Sequence, residues 1–248
     1  PRIQKIGDQL VLLQLLYDKA QLLVQRHAEQ NDAPLTDLET ALATVATSKT
    51  IILRLRRGYV SPRSQRFLNG IASPIFQLGV RIAYELYERT GKRRYQNTAF
   101  QYSELDRASL LWRTIQEQQA QLWAALPLPN RQQLRELREA IGRAEEARDW
   151  PLVLEQRERY AQVVGTLEES YPRYAQLKFS PPAATLSDLI ERLPHPSAAL
   201  VTNYYEDNRL YHFLVSKQGI ISQRSELAGG LVDSIQQLRT YDIENLIQ

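Results

Sequence analysis

Histidine and cysteine, the residues that most often carry nucleophilic, acid–base or metal chemistry, are scarce in this sequence. Its 248 residues include three histidines, His27, His195 and His212, and no cysteine. The histidines do not have the spacing of metal ligands, and no Gly-x-Ser-x-Gly elbow offers a serine nucleophile. His212 alternates with Tyr211 and Phe213, which indicates a half-exposed strand residue rather than a catalyst. We therefore predict no catalytic, cofactor-binding or metal-binding residue and no enzymatic activity for this chain.

Other residues capable of chemistry have ordinary structural interpretations. Ala228-Gly229-Gly230 precedes a helix, but no Lys-Ser/Thr follows it, so helix capping is favoured over anion binding. The carboxylate pairs Glu145-Glu146 and Glu168-Glu169 lie among arginines at helical spacing, which predicts solvated ion pairs. The three tryptophans fall on apolar stripes or at a helix start and are predicted core residues: Trp112, Trp123 and Trp150.

The overall charge favours a protein partner over nucleic acid. The chain has 31 basic and 28 acidic residues, a formal net charge of +3, and 43% hydrophobic residues. Its basic clusters, Arg54 with Arg56 and Arg57, and Lys92–Arg94, follow predicted helix ends, where cations complement the helix dipole.

No apolar run has the length of a membrane helix, and no signal-peptide pattern opens the chain. We expect a soluble, cytoplasmic protein with a protein or peptide partner and no membrane association.

Helical spacing of apolar residues dominates the first 126 residues. The predicted helices are Arg2–Glu29, Thr36–Arg57, Ser61–Thr90 and Arg94–Leu126. Short connections make them two antiparallel hairpins, longer than the standard tetratricopeptide repeat (TPR) and therefore only TPR-like.

Local signals define where these helices begin and end. Thr36 and Glu39 fit a capping box, and Ser61 before a proline fits an N-cap. Pro74 predicts a kink or a break near residues 72–73, and Gly91 is the expected stop.

Residues 130–171 predict a projecting coiled-coil-like hairpin. Asn130 is the expected cap of its first helix, and Asp149-Trp150-Pro151 marks the start of the second. The narrow apolar seam recurs at steps of three and four residues: Leu134, Leu137, Ile141 and Ala144 on the first helix, and Tyr160, Val164, Leu167 and Tyr171 on the second.

The hydrophobic period changes to that of β-strands near the end of the chain. After a short helix at Ser187–Leu193, Ser197–Arg224 contains three β-type runs, with a turn at Asp207-Asn208 that needs positive φ. An amphipathic helix at Leu227–Leu246 follows. The predicted fold class is mainly α, with a small antiparallel β-meander and a final helix. The open sheet edge at Ile220–Arg224 could pair two copies into a homodimer.

Several blocks resemble one known family. Leu86–Gly91 reads L-Y-x-x-T-G and precedes Tyr95, Ala99-Phe100 and the Glu104–Ala108 step; Tyr171–Tyr174 reads Y-P-x-Y. Together with the strand segments Ala199–Tyr205 and Leu210–Phe213, their order resembles the bacterial TPR-CHAT family, which is caspase- or separase-like. The resemblance implies partner-binding helices followed by the start of an α/β CHAT domain. It also implies a His-Cys peptidase dyad beyond Gln248, because none of the three histidines occupies that position.

These observations predict three regions and one function. Residues 1–126 form the TPR-like hairpins, 127–180 the coiled-coil-like hairpin and linker, and 181–248 the N-terminal part of a CHAT-like domain. We expect a non-catalytic protein-interaction or scaffold region of a CHAT-type protein. One alternative is the front section of an active CHAT peptidase, and a second is a helical adaptor that binds nucleic acid through its arginine-rich helix ends.

Overall fold

The fold is that of a mainly helical chain with a three-stranded antiparallel sheet near its C-terminal end, as predicted. The computed structural model describes residues 3–29, 34–56, 58–107, 126–174 and 186–227, without the side chains of residues 3–8. The chain forms two compact units, Pro1–Ala183 (unit 1) and Ala184–Gln248 (unit 2).

Unit 1 contains two helical hairpins followed by a third. Its helices are α1 (Ile3–Glu29), α2 (Thr36–Leu55), α3 (Pro62–Thr90), α4 (Arg93–Arg107), α5 (Leu128–Glu146) and α6 (Trp150–Ser170). Helix α1 packs on α2, α3 on both α2 and α4, and α5 on α6. The predicted continuation of α4 to Leu126, with Trp112 and Trp123, lies outside the described residues.

Several predicted helix ends are confirmed by their backbone geometry. The Ser61 hydroxyl accepts a hydrogen bond from the Ser64 amide, and Pro62 occupies the first turn of α3. Gly91 ends α3 in the left-handed conformation, with φ of 64°. Helix α3 runs through Pro74 without the predicted break. The carbonyl that Pro74 leaves without a donor belongs to Gly70, which is exposed, so water can hydrate it.

Two predicted caps are wrong. Helix α2 has Leu35 as its N-cap and no side-chain cap, so Thr36 and Glu39 do not form a capping box. The Glu39 carboxylate instead accepts a hydrogen bond of 2.5 Å from the Tyr95 hydroxyl of α4. Helix α5 begins at Leu128, before the predicted cap Asn130, because a proline fits the first turn without needing an amide.

Helix α3 lies at the centre of the first core and approaches α4 closely. Its side chains Leu68, Phe76 and Leu86 are fully buried. Gly79 faces the Tyr102 ring so closely that a β-carbon added to this glycine would lie 2.9 Å from two ring atoms. The missing side chain of Gly79 therefore sets the distance between the two helices.

The α5–α6 hairpin has its own apolar core, built on the predicted seam. The buried cluster comprises Leu126, Leu134, Ile141, Tyr160, Val164, Leu167 and Tyr174, with Leu137 and Tyr171 packed against it. The heptad-like spacing of these residues places them between the two helices.

Unit 2 contains a short helix and the β-meander. The elements are α7 (Leu186–Arg192), β1 (Ala199–Glu206), β2 (Arg209–Ser216) and β3 (Gly219–Glu226), in the order β1-β2-β3. Asp207 and Asn208 have φ of 45° and 62°, which confirms the predicted tight turn. The predicted helix Leu227–Leu246 lies outside the described residues, apart from Leu227 itself.

Candidate interaction surfaces

Helix α1 has apolar side chains on two opposite faces. Its inner face buries Leu13 and Ala20 completely and His27 to 4% exposure. On the outer face, Val11, Leu15 and Leu22 are 62%, 60% and 65% exposed. Steps of four and seven residues keep these three side chains in one line along the helix. We call the line, together with Leu12, the α1 stripe.

A shallow, open groove of about 580 Å³, lined among the described residues by α1 alone, follows the α1 stripe toward the end of the helix. Its lining includes the apolar Leu15, Leu22 and Leu23, with charges of both signs beside them: Asp18, Lys19, Arg26 and Glu29. Arg26 is held by Asp37 of α2 through two hydrogen bonds, of 2.7 and 2.5 Å. The hydrogen bond from Arg26 lowers the pKa of Asp37 below its usual value. The groove thus combines three leucines with charged residues of both signs.

The turn between α5 and α6 is anchored to the loop before α3 by a buried carboxylate. Glu145, predicted to be a solvated surface residue, is 5% exposed. It accepts a short hydrogen bond from the Ser61 hydroxyl and forms a 2.8 Å ion pair with Arg157. Periodicity alone could not show this, because the residues that bury Glu145 come from a distant part of the sequence.

Aromatic rings extend this anchor toward the surface. The Arg157 guanidinium lies 5.4 Å from the centre of the Tyr59 ring, and the Tyr59 ring stacks on Phe67 at 6.4 Å. Burial raises the pKa of the Tyr59 hydroxyl. Phe67 itself remains 54% exposed, so the stack ends at an open aromatic surface.

The same turn contains a residue in an unfavourable backbone conformation. Arg148 has φ of 57°, in the left-handed region that glycine normally occupies after a helix. Its amide bonds the Glu145 carbonyl at 3.3 Å and the Asp149 amide bonds the Ala144 carbonyl at 3.0 Å, which together form a Schellman motif. For an arginine this conformation costs roughly 1–2 kcal/mol.

Trp150, at the start of α6, is a surface residue. It is 58% exposed, so the prediction that it belongs to the core is wrong. The neighbouring Asp149 caps α6 as predicted, accepting a 3.1 Å hydrogen bond from the Leu152 amide. The cap places Trp150 in the first turn of α6, before the buried seam residues Tyr160, Val164 and Leu167.

The basic clusters at the helix ends have different environments. Lys92 and Arg94 are exposed, as predicted, but α4 begins at Arg93, so Arg94 lies in the first turn of a helix, where the dipole does not favour a cation. The Arg94 guanidinium lies over the Tyr95 ring at 4.5 Å. Arg56 is 5% exposed and lies 5.5 Å from the Phe76 ring, so it is not a solvated helix-end cation. Arg57 lies outside the described residues.

The sheet exposes apolar residues on its outer face. Val201, Leu214 and Ile221 are directly opposed across the three strands and are 62%, 36% and 68% exposed. The other face buries Tyr211, Phe213 and Val215 completely. In the strand order β1-β2-β3, β3 lies at an edge of the described sheet. Pairing of two copies at that edge stays a prediction.

His212 is half-buried on the outer face, as predicted, and contacts two polar neighbours. Its Nδ1 lies 2.8 Å from the Asn203 Oδ1, and its Nε2 lies 3.2 Å from the Ser225 Oγ. The antiparallel register explains both contacts, since it pairs Asn203 of β1 with His212 and Gln223 of β3 with His212, two residues from Ser225 on the same face of β3. We interpret the contacts as cross-strand pairing. His195, the third histidine, is exposed in a loop.

Searches for other kinds of site add two findings. In the ranges that the structure describes, no group of three or more His, Asp or Glu residues is placed to hold a metal ion. Within the same ranges, no helix is long and apolar enough to cross a membrane.

Comparisons with protein-family models, with curated proteins and with solved structures give no match. The resemblance to the TPR-CHAT family therefore stays a prediction.

Proposed function

We propose that this chain is a non-catalytic protein-interaction scaffold whose α1 stripe binds an amphipathic helix of a partner. The observation that carries the proposal is the exposure of Val11, Leu15 and Leu22 in one line on a helix whose opposite face is already buried. A helix on the surface of a soluble protein normally has polar residues on its outer side. An apolar outer side is typical of a contact surface.

The shape and spacing of the stripe favour a helical partner. The groove runs from Leu15 to Glu29, about 21 Å at the helical rise per residue. Stacked helical hairpins bury their cores against neighbouring helices. The outer face of α1 is apolar, so a further helix packed on it would bury that face in the same way. Recognition would follow the helix-in-groove mode, with apolar anchors three, four and seven residues apart.

The mixed charges of the groove favour a protein over a nucleic acid at this surface. Asp18 and Glu29 would repel phosphates, while Arg26 is already paired with Asp37. The wider interpretation, that such a scaffold serves a CHAT-type protein in the cytoplasm, rests on the sequence resemblance. The peptidase alternative depends on a His-Cys dyad that these 248 residues do not contain.

Site-specific photocrosslinking tests this function. A benzoylphenylalanine is placed at Leu15 or Leu22 and, as the control, at Gln21, which is exposed on another side of the same helix. We expect one protein to be crosslinked from both stripe positions and not from position 21, with the crosslinked peptide lying in a helix. Equal crosslinking from all three positions, or crosslinking to nucleic acid alone, contradicts the proposal.

A further inference from the structure

A second surface, separate from the α1 stripe, lies where the α5–α6 turn meets the start of α3. The Glu145 carbonyl accepts two hydrogen bonds of 3.3 Å, one from the Arg63 guanidinium and one from the Arg148 amide. These bonds bring an exposed cation of α3 beside the exposed cation of the turn. Residues more than 80 positions apart in the sequence thus form one surface.

Exposed aromatic residues lie beside these cations. Phe67 follows Arg63 by four residues on α3 and so lies on the same face of that helix. Trp150 follows Arg148, and its amide bonds the Arg148 carbonyl at 3.1 Å. We call the group the turn patch; it consists of Arg63, Arg66, Phe67, Arg148 and Trp150.

Carboxylates near the turn patch cancel its charge only in part. The Asp149 carboxylate accepts the Leu152 amide at the start of α6, and the Glu145 carboxylate is buried against Ser61 and Arg157. Glu146 is an exposed carboxylate of the turn itself. The three exposed arginines of the patch therefore outnumber the two exposed carboxylates of the turn, Glu146 and Asp149.

The strained backbone at Arg148 indicates that the fold itself does not require an arginine at this position. Glycine would form the same Schellman turn without strain, because it has no β-carbon. Arginine contributes only a guanidinium and its stem, and both are exposed. Backbone strain that persists in a folded protein occurs preferentially at functional positions, which makes Arg148 a candidate.

We propose that the turn patch binds an acidic segment of a partner protein, with carboxylates on the arginines and an apolar or aromatic side chain between Phe67 and Trp150. Arginine and tryptophan are the residues most enriched at energetically dominant positions of protein interfaces. Nucleic acid fits less well, since the basic surface comprises only three arginines and is short for a polyphosphate backbone.

Fluorescence anisotropy of a labelled peptide with six glutamates around one tryptophan, EEEWEEE, tests the proposal. We expect saturable binding that weakens as salt is raised from about 50 to about 300 mM. The peptide KKKWKKK should not bind. The absence of detectable binding at about 1 mM EEEWEEE would overturn the proposal. Tighter binding of a duplex DNA of equal charge would also overturn it.

The variant Arg148→Gly distinguishes recognition from folding. This variant should have a higher melting temperature, because the backbone strain is relieved. Its affinity for EEEWEEE should fall at least about threefold. Trp150→Ala should lower the affinity for EEEWEEE by a similar factor and leave the melting temperature unchanged. The matched control is Arg135→Ala, an exposed arginine about 17 Å along α5 from the helix end at Glu146, which should leave the affinity within about 1.5-fold. Equal effects of Arg148→Gly and Arg135→Ala on peptide affinity would overturn the assignment.

Discussion

Two glycines of α3 allow a sharp test of how this fold is packed. At Gly79 an added β-carbon would lie 2.9 Å from the Cγ and Cδ2 atoms of Tyr102, where ordinary contacts are 3.4–4 Å. The ring is 2% exposed and packs near Phe76, so it has little room to move. At Gly70, in the same helix, no atom lies within 4 Å of the added β-carbon.

The magnitude follows from two opposing effects. Replacing glycine by alanine inside a helix gains about 1 kcal/mol of helix propensity at both positions. Overpacking of a buried site costs about 1–3 kcal/mol, and only Gly79→Ala incurs it. We expect Gly70→Ala to stabilise the chain by about 1 kcal/mol and Gly79→Ala to be less stable than Gly70→Ala by about 1–3 kcal/mol. The difference between the two variants cancels the shared propensity.

Urea denaturation followed by far-ultraviolet circular dichroism measures both free energies of unfolding. Replacing the Tyr102 ring by a smaller side chain should relieve the clash. The double variant Gly79→Ala with Tyr102→Leu should therefore lose less free energy of unfolding than the sum of the two single variants. Equal stabilisation by Gly70→Ala and Gly79→Ala would refute the close approach of α3 and α4 at Tyr102.

Three further predictions concern the ion pairs and the sheet edge. Glu145→Ala should lower the free energy of unfolding by about 3 kcal/mol, since it leaves Arg157 partly buried without its partner, and the value is read from urea denaturation. Arg26 lowers the pKa of Asp37, so their pair contributes stability that is present above the unfolded pKa and lost as pH falls through the folded one. As pH falls below about 4, the free energy of unfolding of Asp37→Asn should therefore decrease less than that of the parent. The urea midpoint measured as a function of pH tests this. Ile221→Lys on β3 should abolish any self-association at the sheet edge in sedimentation velocity, and a dimer that persists in this variant would exclude that edge as its interface.

Periodicity and turn chemistry were sufficient to predict the elements of this fold. The four-residue and three-residue steps of Leu134, Leu137 and Ile141 produced the hairpin seam that the structure contains. The Asp207-Asn208 pair, which tolerates positive φ, set the strand register of the meander. Such signals are local, and each needs only its sequence neighbours.

The candidate surfaces depend on contacts that local patterns do not encode. Glu145 has the sequence context of a solvated helix residue, yet the Ser61 loop buries it. Trp150 has the composition of a core residue, but its place in the first turn of α6 leaves it exposed. Position within the tertiary structure decides both cases. The apolar residues of α1 are visible in its sequence, and the structure shows which side of the helix remains open.

The most direct measurement for the proposed function is the affinity of the partner crosslinked at Leu15 for the parent chain and for Leu22→Glu. Leu22 is 65% exposed, so the free energy of unfolding of the variant should lie within about 0.5 kcal/mol of that of the parent. We predict that its partner affinity falls by at least about tenfold, because a charge enters the apolar contact without a counter-ion. An unchanged affinity at unchanged stability would contradict the assignment of the α1 stripe as the binding surface.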